Sequence, residues 1–273
     1  MGYINILSFI IGTILSYIGA PIFLDILSKN KNTLGLNYKN DEIPICMGLL
    51  FIFAQTFNIG IIFFVLKKAN SLYVISYLFV LTLMGLAGLL DDLIGDKKTK
   101  GFKGHIKSFL KGNLTTGGIK AGIGFVVALF ISIIISNTII DAVVNILIIA
   151  LFTNLINLFD LRPGRAVKIF IFISIIMLYT SSIKNYNFLL YSFYGILLVY
   201  LPLDLKGKTM MGDVGANVLG VTLGVFCCFT HSLTTRYIYT LILIITHIMA
   251  ERISFSKAIE SNKLLNFIDN IGR

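Results

Sequence analysis

The stretch Ser71–Leu90, SLYVISYLFVLTLMGLAGLL, contains no charge, and Asp91 and Asp92 follow it at once. A helix needs about 20 apolar residues to cross a bilayer, so the stretch reads as a membrane span. Its end is costly. A carboxylate taken to the bilayer centre costs at least about 2.5 kcal/mol, and at a helix C-terminus it meets the negative pole of the macrodipole. Two adjacent carboxylates also repel each other. Such a pair persists where positive charge sits on it: a divalent metal, a lysine cluster or a proton in transit.

Composition extends the reading to the whole chain. Of 273 residues, 56% are hydrophobic and 13% charged, with a mean hydropathy of +0.89. Soluble domains carry about 25% charged residues. The chain is therefore expected to be an all-α polytopic membrane protein, a single integral membrane domain over residues 1–273 with about nine transmembrane helices. Apolar runs place the spans at about 3–27, 45–66, 71–90, 119–136, 138–158, 168–183, 187–203, 213–230 and 235–253. The first run lacks a basic leader and an A-x-A cleavage site, and reads as a retained span. Cys46, Cys227 and Cys228 show no metal-ligand spacing and read as small apolar fillers.

The net charge of +10 does not point to nucleic acid, because its distribution follows topology. Of the 23 basic residues, only Lys67, Lys68, Lys184 and Arg236 fall in the loops after even-numbered spans, and Lys120 sits at a boundary. The remaining 18 lie on the other side, which the positive-inside rule makes cytoplasmic. No internal repeat is visible, so an inverted-repeat transporter gains no support. The spacings Gly118/Gly122 and Gly220/Gly224 suit close helix packing.

The unusual polar segments all fall on that cytoplasmic side. They are Lys39-Asn40-Asp41-Glu42-Ile43-Pro44, Asp91-Asp92-Leu93-Ile94-Gly95-Asp96, Asn154-x-x-Asn157-x-x-Asp160, Arg162-Pro163-Gly164-Arg165 and Met211-Gly212-Asp213-Val214-Gly215-Ala216-Asn217. Asn154, Asn157 and Asp160 recur every three residues and are expected along one polar stripe, facing protein or water. Asp213 opens an apolar span, where an anion suits the helix N-terminus. It is a candidate to join Asp91 and Asp92 in holding Mg²⁺, which takes a few carboxylates plus substrate phosphates. Lys103, Lys107 and Lys111 line one side of a short basic amphipathic segment, with Ile106, Phe109 and Leu110 on another. That segment suits an interfacial helix and, compatibly, a clamp for a diphosphate or lipid phosphate. Arg162 and Arg165 suit phosphate or carboxylate recognition.

These segments, in this order over residues 39 to 224, resemble the polyprenyl-phosphate N-acetylhexosamine-1-phosphate transferases of glycosyltransferase family 4. The resemblance implies a Mg²⁺-dependent transfer of an N-acetylated sugar-1-phosphate from a UDP-sugar to undecaprenyl phosphate. It implies catalytic and metal-binding roles for Asp91, Asp92 and Asp213, and a nucleotide pocket at Asn157 and Asp160. The partners implied are polyprenyl phosphate, a UDP-sugar and the lipid bilayer of a bacterial plasma membrane, with a homodimer open as the assembly. The physics agrees, since phosphoryl transfer needs positioning and charge neutralisation more than covalent chemistry. The chain also departs from the pattern. The family continues from Asn-x-x-Asp as Gly-Leu-Asp-Gly-Leu-Ala, whereas Leu161-Arg162-Pro163-Gly164-Arg165-Ala166 stands here. The family's C-terminal histidine-rich loop has no counterpart, although His247 and Glu251 share a helical face. A non-catalytic paralogue that binds polyprenyl phosphate or a partner enzyme is the alternative. A transporter would place its carboxylates in mid-span, not at span ends.

Overall fold

The computed structural model describes residues 2–65, 71–95 and 116–273. Among the described residues there are nine long helices: α1 (Gly2–Ser28), α2 (Gly48–Val65), α3 (Ser71–Ile94), α4 (Thr116–Ile135), α5 (Ile139–Phe159), α6 (Arg165–Thr180), α7 (Phe188–Leu205), α8 (Gly212–Thr230) and α9 (Leu233–Arg252). Two short helices follow, α10 (Phe255–Ser261) and α11 (Lys263–Asn270). Among the described residues, eight helices are long and apolar enough to cross a membrane. The chain is an all-α polytopic membrane protein, as its composition requires. The exception among the nine is α6, with 16 residues. At 1.5 Å per residue it reaches about 24 Å, short of a hydrocarbon core of about 30 Å.

Helix α8 is the axis of the bundle. Every residue from Val214 to Thr230 is buried, and α2 to α7 all pack against it. Its small residues permit this. A Cβ on Gly220 would stand 2.5 Å from Thr153 Cα, and one on Gly224 2.7 Å from Ile149 Cα, so α5 lies directly against it. The Gly220/Gly224 spacing is thus a packing seam. Gly122 meets open space instead, so the Gly118/Gly122 spacing seals no such contact there. Buried polar side chains tie the helices together within the apolar layer. Gln55 Nε2 donates to Tyr77 Oη and Leu189 O, and Asn58 Nδ2 donates to Ser8 O and Ser192 Oγ. In lipid, backbone and side-chain polar groups need such internal partners. All three cysteines are free and buried.

One end of the bundle carries a two-stranded antiparallel hairpin that hydropathy does not reveal. β1 (Leu34–Leu36) pairs with β2 (Glu42–Pro44), Leu34 opposite Pro44. Asn37 shapes the tip by accepting from the N–H groups of Lys39 and Asp41, and Asn40 takes φ 65°. The chain beyond β2 is zipped to the segment entering α8. Met210 N–H donates to Pro44 O at 2.8 Å, Met47 N–H to Met210 O at 3.1 Å and Gly48 N–H to Met211 O at 3.0 Å. These bonds fix where Asp213 begins its helix.

Candidate active site

A cleft of about 680 Å³ opens at the hairpin end of the bundle. Its wall carries five carboxylates, Asp91, Asp92, Asp160, Asp204 and Asp213, together with Arg162 and the apolar residues Leu36, Ile43 and Ile45. The volume lies within the range of small-molecule sites, about 300–1,000 Å³.

The two adjacent aspartates do different work. Asp92 Oδ1 accepts from Asp213 N–H at 3.0 Å and Oδ2 from Val214 N–H at 3.2 Å. The residue preceding α8 supplies no side-chain cap of its own, so Asp92 satisfies the orphan amides from another helix and meets the positive pole of α8. Gly212, at φ 65°, lets this turn approach: a Cβ there would collide with the Asp92 carboxylate and Ile45 O. Asp213, in the first turn of α8, points elsewhere. Its Oδ2 lies 2.7 Å from Lys120 Nζ, and the same ammonium lies 3.8 Å from Asp91 Oδ2. Lys120 belongs to the first turns of α4, so one lysine joins the carboxylates of α3 and α8.

Across the cleft, Asp160 ends α5. Burial, followed by the charges of Asp204, Asp213 and Asp92, holds its carboxyl well above the ordinary carboxylate range. Asp204, near the end of α7, accepts from Gly164 N–H at 2.8 Å. It thereby fixes the turn Leu161–Gly164, where Gly164 adopts φ 75° before α6 starts. Arg162 stands on that turn, half-exposed, 2.7 Å from Glu260.

The family model of glycosyl transferase family 4 matches residues 74–231. The chain belongs to this family. No curated protein matches it. Family 4 membership makes the protein a transferase that handles sugar phosphates. The matched region starts in α3 and ends just beyond α8, so it encloses all five cleft carboxylates, Lys120 and Arg162. The hairpin and the α10–α11 pair lie outside it.

The structure brings together Asp91, Asp92, Asp160, Arg162 and Asp213, as their sequence segments suggested. It separates others. Asn154 is exposed, and Asn157 lies beneath the cleft, donating to Asn217 Oδ1 at 2.9 Å while Asn217 bridges on to Met84 O. The expected single stripe fails because each three-residue step on a helix falls about 60° short of a turn, so Asn154 and Asp160 point about 120° apart. Arg165 does not reach the cleft. It is buried, and its guanidinium pairs with Asp269 and donates to Ser256 Oγ. Lys103, Lys107 and Lys111 lie outside the described residues. Neither His247 nor Glu251 lines the cleft. Sequence reading placed Lys120 at a span boundary, as the last lysine of the basic stretch read as a phosphate clamp, without pairing it to Asp91 and Asp213, and it missed Asp204. The signal for Asp204 was the one that flagged Asp91: a carboxylate at the end of an apolar run.

Among the described residues, no three carboxylate, histidine or cysteine side chains converge on one metal position. Of the three aspartates expected to hold Mg²⁺, Asp92 is engaged by the amides of α8. Two carboxylates remain directed at one cation, Asp91 and Asp213, and that cation is Lys120. Mg²⁺ commonly binds through one or two carboxylates, with waters and substrate phosphates completing its shell. The donor set therefore fits a substrate-assisted Mg²⁺ site.

Proposed function

We propose that this protein transfers an N-acetylated sugar-1-phosphate from a UDP-sugar to polyprenyl phosphate, at the cytoplasmic face of a bacterial plasma membrane, for cell-wall or surface-polysaccharide synthesis. The observation that carries the reading is the acidic cleft at the helix ends, with Lys120 held between Asp91 and Asp213. Among the described residues, the five carboxylates of the cleft stand with Lys120 and Arg162, and a bound cation would add positive charge for an entering diphosphate. Held by Asp91 and Asp213, Mg²⁺ would supply that neutralisation. In the reaction, an oxygen of the lipid phosphate bonds to the sugar-bearing phosphorus. The bond from that phosphorus to the bridging oxygen breaks, and UMP leaves with the electron pair. Lys120 places positive charge beside the reacting phosphates, and Arg162 stands at the rim where a phosphate enters. Asp92 keeps Asp213 in register by holding the first turn of α8. The apolar lip of Leu36, Ile43 and Ile45 offers a path for an isoprenoid chain from the bilayer. The excess of basic residues in the loops at this end supports a cytoplasmic cleft.

The test incubates purified protein with Mg²⁺, polyprenyl phosphate and a panel of UDP-sugars, and follows UMP. Absence of UMP with every donor removes the reading for those donors. One observation favours a second reading, a non-catalytic paralogue that binds polyprenyl phosphate: Asp92 is engaged structurally, by the first amides of α8. Unchanged cellular function after Asp213→Asn would select it.

A further inference from the structure

Helix α11 is inverted for a segment surrounded by water. Leu264, Phe267, Ile268 and Ile271 recur at i, i+3, i+4 and i+7 and so share one stripe, yet they are 66, 68, 45 and 51% exposed. Its polar side faces the protein. Asp269 is buried and accepts two hydrogen bonds from Arg165 at 2.8 Å and two from Arg273 at 3.1 Å. Lys168 Nζ donates to the carbonyls of Ile268, Asp269 and Ile271. Asn262 Oδ1 accepts from Leu264 and Leu265 N–H at the other end. A helix gripped by its polar face and free along its apolar one matches an apolar medium on the outside.

Continuity identifies that medium. The exposed face of α9, with Leu241, Ile245 and Ile248, belongs to a membrane-crossing helix. It leads through the exposed Ile253 into α10 and α11. The pair sits at the cleft end of the bundle, with Phe255 stacked on Phe159 at 5.2 Å and Glu260 bonded to Arg162. That is the level at which span ends meet the bilayer surface. Arg252, Lys257 and Lys263 are exposed around the stripe, and anionic headgroups attract such charge.

We infer that α11 lies in the headgroup layer of the bilayer on the cleft side, with Leu264, Phe267, Ile268 and Ile271 turned into the acyl boundary. The Arg165–Asp269 clasp then ties a lipid-seated helix to the turn that carries Arg162.

The chain contains no tryptophan, so a single introduced indole reports alone. Phe267→Trp protein is reconstituted in phosphatidylcholine–phosphatidylglycerol vesicles, with or without lipids brominated near the top of the acyl chain. The expected result is emission shifted to shorter wavelength, most of it lost with brominated lipid, and little quenching by aqueous iodide. Leu264→Trp, on the same stripe, is expected to behave alike and serves where the first variant fails to fold. Strong iodide quenching with no effect of brominated lipid overturns the inference. Protection from both quenchers also overturns it, since a second copy or another protein would then cover the stripe.

Discussion

Replacing Lys120 with methionine keeps most of the side-chain volume and removes the ammonium that lies 2.7 Å from Asp213 Oδ2 and 3.8 Å from Asp91 Oδ2. The side chains of Lys120, Asp213 and Asp91 are 18, 35 and 21% exposed, between a surface pair and a buried one. Exposed pairs contribute about 0–1 kcal/mol, and breaking a buried pair costs about 3–5 kcal/mol. The expected loss is therefore about 2 kcal/mol, which for a chain of this size lowers the unfolding midpoint by about 4–8 °C. The same substitution removes the ammonium that lies between the two carboxylates, and an ion that binds only the folded state stabilises it by mass action. Thermal unfolding of the purified protein in detergent, across a Mg²⁺ titration, reads both effects. Lys120→Met is expected to start lower than the wild type and to gain more from Mg²⁺. Its half-saturating concentration should fall about tenfold for each ~1.4 kcal/mol of competition removed. An equal or smaller gain in the variant would refute the idea that ammonium and metal share one pair of carboxylates. An unchanged midpoint without Mg²⁺ would refute the strength assigned to the ion pair.

Three further outcomes follow from named contacts. Gly220→Ala drives a methyl against the backbone of Thr153 and is expected to cost about 1–3 kcal/mol by overpacking. Gly122→Ala, in open space, should be neutral or stabilising by up to about 1 kcal/mol, and thermal midpoints of the two variants compare them. Burial raises the Asp269 carboxyl, but hydrogen bonds from Arg165 and Arg273 outweigh it and hold it at about 2, below the ordinary 3.8. Docking of α11 should therefore be complete above the ordinary value and be lost as pH falls through about 2, whereas Asp269→Asn should loosen α10–α11 at neutral pH in hydrogen exchange. Asp204→Ala leaves the Gly164 N–H without its buried acceptor, at about 1–3 kcal/mol. Because that bond sets the turn bearing Arg162, steady-state kinetics should show a donor KM raised more than kcat is lowered.

The apolar runs were the most legible part of the chain, because a span declares itself by length and lack of charge. Even the short α6 was visible, although it starts at Arg165 and not near 168. A run-based boundary stops at a charge, whereas Arg165 enters the helix because Asp269 neutralises it. That partner is 104 residues away, a separation no local pattern encodes. Four of the five cleft carboxylates, all but Asp204, were legible for the opposite reason: charge at the end of an apolar run is expensive and therefore informative. What each one touches was not legible. Adjacent in sequence, Asp91 and Asp92 read as one metal-binding pair, but helical geometry turns neighbouring side chains about 100° apart. One faces Lys120 and the other caps α8. The hairpin stayed hidden because its two strands are three residues each, too short for an alternating pattern to stand out.

The burial of α8 on every side also orders the assembly of the protein. Residues 212–230 emerge after α2 to α7 have been made, yet they occupy the space between those helices. The contacts that the earlier helices make with α8 can therefore form only once α8 has been made. Until then Asp92 has no amides to cap and Lys120 lacks Asp213. The reactive end of the molecule is completed by the same event that fills its middle, so a chain halted before α8 lacks both its central helix and the Asp213 side of the site.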